Sequence, residues 1–481
     1  MKREIPRRQF LQVSVAGTAL ALGAADLAAA AAPACSPTLT QLISPGCRRT
    51  KVKVARIYVG AARTDWPRPG LDLPAEMCSY QPVFDQLKDE LADVEFPLDR
   101  LVTLPKEVEP IREELKKMDG ILVIHLSIGV HAVLAKILEV GVPTMVFAIP
   151  YSGHDWTSWG GLTKQVGAHM DCILTSDRKQ LAAAIRPIRA IHHLREAKIL
   201  DVTERLPTAF VQQMREKFGT EIKQVSLKEV EAAYNAIDDA QAQAETDRWI
   251  QGAVQIVEPA RKDIFKSCKQ ALAFEKMLAD EKATVMTVDC YGTMWKKTIR
   301  LPAYPCLGFS RLNSMGLGGI CESDLQSAMT HIIFQGLAGK PGFISDPTMD
   351  DSNNSIILAH CMAATKMLGP QQPASPYKLR TVHERQEGVT PQVKLPVGLK
   401  ATQAKLIDNK LMLYFTGQVI DSPDCERGCR DKLTIRIDGD GEKLWRNWSQ
   451  GLHRVTCYGD IHKDLERFCR LSQLTLVNEA V

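Results

Sequence analysis

Four residues in the C-terminal half of the chain have the types and neighbours that chemistry at a divalent ion needs: Glu322, Asp346, His360 and His453. Glu322 stands in Cys321-Glu322-Ser323-Asp324, just after the glycine-rich run Met315-Gly-Leu-Gly-Gly-Ile320, and is read as opening a helix over 321–336. A carboxylate there faces the positive end of the helix dipole and stays ionised. Asp346 ends an extended run from Lys340, His360 ends the apolar strand that starts at Ile356, and His453 precedes Tyr458-Gly-Asp460. Two carboxylates with one or two imidazoles suit a hard divalent cation such as Mn²⁺, with positions left open for substrate oxygens. Spacing alone does not establish this, since each residue taken singly reads as a surface carboxylate or a structural histidine. The Gly-x-Gly run is weak evidence for a phosphate loop and is discounted. Glu322 and Asp346 also admit a glycosidase pair. That reading leaves the histidines unexplained, and a helix N-terminus is a poor place for an acid of raised pKa.

The elements that must position these residues follow from periodicity. Residues 51–175 alternate apolar strands with amphipathic helices: strands at 51–59, 120–126 and 142–149, helices at 80–92, 104–118 and 130–140. That rhythm predicts parallel β-α-β units, whose ligands gather at the carboxyl ends of strands. Residues 176–300 read as a second α/β unit, with strands at 197–202 and 283–288 and helices at 179–196, 227–238 and 260–280. Pro187 should kink or split the first of these helices, and Pro259 is well placed to open the last. From Ser355 the texture changes to short alternating strands and turns, closed by a helix at 460–471, which predicts an antiparallel β domain. The fold class is therefore α/β: two Rossmann-like α/β domains at 51–175 and 176–350, then a C-terminal antiparallel β-rich domain at 351–481.

The chain has 481 residues, 45% of them hydrophobic and 24% charged, with a net charge of only +4. No basic stripe with interleaved aromatics points to nucleic acid. The 13 cysteines are scattered singly without a Cys-x-x-Cys pair, which excludes a disulfide framework and leaves mostly buried thiols. The first 34 residues carry Arg7-Arg8, an apolar run from Val13 to Ala25 and an alanine-rich tract from Ala28 to Ala34. This is the pattern of a twin-arginine export signal, too short in its apolar part to span a bilayer comfortably. The expected mature protein is periplasmic, with no membrane span once the signal is removed.

Over residues 305–475 the chain resembles the L-fucose isomerase and L-arabinose isomerase superfamily of metal-dependent aldose–ketose isomerases. Cys321-Glu322-x-Asp324 is similar to the family's helix-opening glutamate. Asp346 follows Glu322 by 346 − 322 = 24 residues, like the two metal-binding carboxylates of L-fucose isomerase. Ala359-His360 resembles the Ala-His step of L-arabinose isomerase, 388–398 resembles a Leu-Pro-x-Gly strand turn of the family, and Gly451–Asp460 resembles the segment with the last ligand histidine. The resemblance implies two α/β domains before a β domain, a homo-oligomer, a small sugar substrate and a metal set of Glu322, Asp346, His453 and His360. Glu322 and Asp346 would also carry the acid/base work. An enzyme of another kind on the same scaffold, a lyase or epimerase, or a sugar binder without turnover are the alternatives.

Other residues carry weaker signals. His154, Asp155 and Trp156 follow a strand end and are read either as pocket lining or as a loop cap. Trp445 and Trp448 are candidates for sugar stacking, with core packing expected of at least one. Arg427 and Arg430 are read as solvated, and His331 and His383 as structural.

Overall fold

Strands that are apolar on both faces pack inside parallel sheets, and the first half of the chain builds two of them. The computed structural model describes residues 42–165, 169–294 and 300–481, so the segment expected to be an export signal lies outside the described residues. The first sheet holds β1 (Val52–Val59), β2 (Val94–Val102), β3 (Gly120–His125), β4 (Thr144–Ala148) and β5 (Met170–Leu174) in the order β2-β1-β3-β4-β5, all parallel. Every residue of β3 and β4 is buried. The second sheet holds β6 (Lys198–Val202) and β7 (Glu221–Val225). After β8 (Gln255–Ile256), which leaves for a small sheet, come β9 (Val285–Val288) and β10 (Gly318–Cys321). Their order is β10-β9-β6-β7, again parallel. The chain reverses direction across this sheet at β6, so the crevice at the carboxyl ends of β6, β9 and β10 is the place where such sheets bind ligands.

The C-terminal part is an antiparallel barrel-like sheet. β11 (Phe343–Asp350) and β12 (Ser355–His360) form a hairpin. β13 (Tyr377–Val382) and β14 (Glu387–Val393) then step out to join β8. β15 (Lys400–Ile407), β16 (Leu411–Asp421), β17 (Asp431–Ile437) and β18 (Arg454–Tyr458) complete the ring, ordered β15-β18-β11-β12-β17-β16 with β16 pairing back to β15. β19 (Thr475–Asn478) runs parallel to the first residues of β16. Val285, Ile320 and Ile332 share one apolar core with Ile344, Ala404 and Val455, so the second sheet and the barrel are packed as neighbours.

Several helices differ from the periodicity reading. The expected helix over 104–118 is two 3₁₀ turns, Pro105–Glu107 and Glu109–Ile111, and one α-turn, Arg112–Leu115, because Pro105 and Pro110 interrupt the backbone ladder. The helix expected over 80–92 is only Gln81–Gln86, and the strand β2 beyond it was not expected. Leu181–Glu196 runs unbroken through Pro187. Burial of most of its length outweighs the one lost hydrogen bond. The Gly- and Pro-rich residues 301–321 hold the helix Cys306–Ser314 and β10, neither of which the periodicity showed. A Cβ on Gly319 would stand 2.5 Å from Phe309 Cα, so the glycine-rich run lets that helix lie directly on β10 and is not a phosphate cradle. Pro259 does precede a helix, Arg261–Asp280.

Candidate metal centre

Glu322 does not open a helix. It follows β10 in a two-residue left-handed turn, with φ 65° at Glu322 and 49° at Ser323, and the helix Leu325–Ala338 starts after it. Non-glycine residues reach this region at a cost of order 1 kcal/mol or more each, and surrounding bonds must hold them there. Ser323 N donates to Val288 O at 3.0 Å, and Ser323 Oγ donates to Asp201 Oδ1 at 2.6 Å. Asp201 is the second-to-last residue of β6 and is fully buried. Burial lifts its carboxyl to about 6, although the Ser323 hydrogen bond works the other way.

The helix-capping role falls to Asp324, which accepts from Ser327 N at 2.9 Å and Ser327 Oγ at 2.8 Å. It also accepts from Lys405 Nζ at 3.1 Å and faces His453 Nδ1 at 3.0 Å. Burial opposes its charge, but His453, Lys405 and the Ser327 amide outweigh that and hold it far below the usual carboxylate range. An ionised carboxylate only accepts, so the proton of this contact sits on Nδ1 of His453 and Nε2 is turned the other way.

His453 Nε2 lies 3.1 Å from Asp346 Oδ1 and 3.6 Å from Glu322 Oε2. Neither Nε2 nor Oδ1 makes a hydrogen bond, although both atoms are buried. Cis ligands on an octahedral ion with bonds of about 2.1 Å stand about 3 Å apart, so the His453–Asp346 separation suits a hard divalent cation. The charges suit it too. Burial disfavours a charged His453, yet Asp324, Asp346 and Glu322 raise it to about 9. A carboxylate set that favours an extra proton at Nε2 favours a metal cation there by the same field. Asp346 is in turn lowered: burial pushes it up, and His453 and His360 more than reverse that.

His360 arrives from the neighbouring strand, where the β11–β12 register sets Asp346 opposite Ala359. Its Nε2 is 3.7 Å from Glu322 Oε1, and Nδ1 accepts the Cys361 N–H at 3.0 Å. With Nδ1 used as an acceptor, the proton of a neutral ring is on Nε2. Asp346, His360 and His453 all offer ligand atoms within 4.8 Å of one another, as do Cys321, Glu322 and His360. The four residues singled out from sequence are thus brought together, between the carboxyl ends of β9 and β10 and the mouth of the barrel. Compared with profiles of known protein families and with the sequences of curated proteins, the chain matches none.

The cavity beside this group is also lined by Tyr291, Tyr304, Glu384 and Arg385, none of which the sequence singled out. Glu384 is raised by burial and then by the charge of Glu322. A wider cleft, lined by Asp93, Arg186 and Arg189, contains no histidine. A third cluster, Cys47, His192 and Glu196, has another explanation. Glu196 accepts the backbone N–H groups of Arg48, Arg49 and Thr50, and so ties residues 47–50 to the helix Leu181–Glu196.

The remaining expectations divide. Asp155 faces His125 Nε2 at 3.3 Å and accepts Val130 N at 3.1 Å, a loop-capping role, and none of His154, Asp155 and Trp156 lines the cavity beside Glu322. Trp448 packs under the Arg454 guanidinium, 4.1 Å from its ring, whereas Trp445 is exposed. Arg427 is exposed, but Arg430 is buried and donates to Thr381 O and Glu426, because its neighbour Asp431 starts β17. His331 is structural: it bridges Leu317 O and Gly342 N. No disulfide joins the described cysteines. Among the described residues, no helix is long and apolar enough to cross a membrane.

Proposed function

We propose that the chain is a metal-dependent aldose–ketose isomerase acting on a small sugar through an enediolate. The observation that carries this reading is the facing pair of buried ligand atoms, His453 Nε2 and Asp346 Oδ1, 3.1 Å apart, with Glu322 Oε2 3.6 Å from the same nitrogen. Glu322, Asp346 and His453 would hold Mn²⁺ or another divalent ion, which when bound supplies Lewis acidity toward sugar oxygens. Moving the carbonyl between C1 and C2 takes a proton from one carbon and returns it to its neighbour. Asp346, about a third exposed, and Glu322 at the cavity wall are the groups for those two transfers. His360 contributes as an Nε2–H donor to Glu322 or to a sugar oxygen, rather than as a ligand, because its Nδ1 is already an acceptor.

The test is metal analysis of the purified protein together with a panel of aldoses assayed for ketose with and without Mn²⁺. A stoichiometric ion, lost in Glu322→Gln/Asp346→Asn, and ketose formation with Mn²⁺ are expected. Metal-replete protein inert on every aldose overturns isomerisation and leaves a lyase or epimerase. Metal-free protein that binds sugar leaves a binding protein. We further take the two parallel sheets and the barrel as three domains of a homo-oligomer, exported through the Arg7-Arg8 signal. Light scattering tests the assembly, and a mature N-terminus near residue 35 in a periplasmic fraction tests the export.

A further inference from the structure

In the order β2-β1-β3-β4-β5 the chain runs outward on both sides from the neighbours β1 and β3, so their carboxyl ends flank the first sheet's own switch point. Small-molecule sites gather at such points, where aromatic walls accompany a few polar groups. The reading above leaves this end of the chain unused. Three loops meet there: 60–72 after β1, 126–130 after β3 and 149–155 after β4. They are fixed to one another. Ala61 N donates to Ser127 Oγ at 2.8 Å. His125, the last residue of β3, faces Ser152 Oγ through Nδ1 at 2.9 Å and Asp155 Oδ2 through Nε2 at 3.3 Å. Gly153 lies so close to the second loop that a Cβ there would stand 2.3 Å from Ile128 Cγ2. The rings of Trp66 and His154 meet edge to face, with centroids 6.0 Å apart, which joins the first loop to the third.

The apolar surface these loops expose is aromatic. Trp66 is 43% exposed, Tyr151 75% and Trp156, the first residue of the next helix, 52%. Among the described residues 60–72, 126–130 and 149–156 they are the only exposed large hydrophobic side chains. At those exposures, aromatic side chains of about 150–250 Å² each present only a few hundred Å². A stable protein interface needs about 800 Å² per partner, so the patch fits a small ligand. Charge then decides the sign of that ligand. The helices after β1 and β3 both begin on a carboxylate: Asp72 accepts Ala75 N at 3.0 Å, and Asp155 accepts Val130 N at 3.1 Å. The amides that would hold a phosphate there are taken by acids. Arg63 and Asp65, both exposed, offset each other. A neutral ligand with a flat apolar face and a hydroxylated edge meets these conditions.

We infer that Trp66, Tyr151 and Trp156 form a saccharide-binding platform for the pyranose rings of a neutral oligosaccharide. The C–H face of a pyranose packs on the indole and phenol rings, and its hydroxyls meet the exposed Asp65 and His154. No bond is broken. None of the three aromatic residues lines the cavity beside Glu322, so the platform needs no metal ion. This goes beyond the isomerase reading, and its readout is independent of turnover.

The experiment is calorimetric titration of the full chain with cellotetraose, xylotetraose, mannotetraose and maltotetraose, and with tetragalacturonic acid as the anionic control. At least one neutral tetrasaccharide should bind, and the acid should bind more weakly than it. Trp66→Ala and Trp156→Ala should each weaken binding by about tenfold, the loss of one stacked ring. Both side chains are exposed, and circular dichroism confirms that each variant is folded. Glu322→Gln/Asp346→Asn should bind the same saccharide as the wild type does. No binding of any neutral tetrasaccharide, equal binding of the acid, or an affinity that falls with Glu322 and Asp346 and not with the tryptophans overturns the assignment. So does a sedimentation coefficient that falls in Trp66→Ala/Trp156→Ala, which would make the patch an interface between copies. Ketose formation judges the isomerase reading, and saccharide affinity in the tryptophan variants alone judges the platform.

Discussion

Asp324 Oδ2 and His453 Nδ1 stand 3.0 Å apart across the junction between a helix N-terminus and a barrel strand, and that contact decides which face of the imidazole meets the cavity. A carboxylate behind a ligand histidine fixes its tautomer and raises its basicity, and losing it usually costs 10–100-fold in metal affinity. Asn caps helices as well as Asp does, so Asp324→Asn keeps the Leu325 helix start while removing the charge. Mn²⁺ affinity of this variant should fall by about 10–100-fold. Titration under conditions where circular dichroism shows the variant folded checks it. Unchanged affinity would mean that His453 is not a ligand.

The left-handed turn at Glu322 and Ser323 makes a second expectation. Ser323→Ala keeps the strained backbone and strips Asp201 of the Ser323 hydrogen bond, leaving a buried carboxyl whose other oxygen has no hydrogen-bond partner among the described residues. That should cost about 1–3 kcal/mol. Ser323→Gly loses the same bond but relaxes the positive φ, which returns about 1 kcal/mol. Urea midpoints should therefore fall in the order wild type, Gly, Ala. An Ala variant as stable as wild type would show that the Asp201 contact does not hold the turn.

Much of this arrangement was legible in the residues. Glu322, Asp346, His360 and His453 were visible as types that bind cations, and the parallel strands β1, β3, β4, β6 and β9 were visible as apolar runs. The left-handed turn was not, because nothing about Glu-Ser announces positive φ; the constraint comes from Asp201, 122 residues away. Glu384, Arg385 and Tyr291 were invisible for a similar reason. They reach the cavity from the turn between β13 and β14 and from the first turn of the helix Cys290–Met294, whose placement depends on tertiary packing. The helix Cys306–Ser314 was hidden by the prolines before it and the glycines after it; the close approach of Phe309 to Gly319 shows the packing role of that glycine.

That packing role separates two glycines. Gly319→Ala puts a methyl 2.5 Å from the Phe309 backbone, which cannot move aside as a side-chain tip can. Overpacking of this kind should cost about 1–3 kcal/mol or more. It should also weaken metal binding, since Glu322 lies three residues on. Gly161→Ala, in the helix Trp156–Gln165 with nothing within 4 Å of the new methyl, should instead stabilise by about 0.5–1 kcal/mol. Thermal melting of both variants decides it. A phosphate-dependent rise in stability of the wild type, lost in Gly319→Ala, would revive the phosphate-loop reading.

Acid should unfold the protein through two histidines that have nowhere to put a charge. His193 and His331 are fully buried, and burial above all lowers them to about 3 and about 4. In the unfolded chain each titrates near 6.5. The folded values are depressed, so the stability each contributes is complete above about 6.5 and is lost as pH falls toward the folded values. At pH 5 the unfolded chain has taken up both protons and the folded chain neither, a loss of about 2 kcal/mol for each site. The neighbouring His192 acts in the opposite sense. Burial disfavours its charge, but Asp119 and Glu196 outweigh that and raise it to about 12. Its contribution is complete below about 6.5 and declines as pH rises toward 12. Stability carried by these three groups therefore peaks near pH 6.5. Urea midpoints at pH 5, 6.5 and 8.5 should show that peak, and His331→Gln should flatten its acid side. A midpoint that does not change between pH 5 and 6.5 would mean that both buried rings find a proton partner in the folded state.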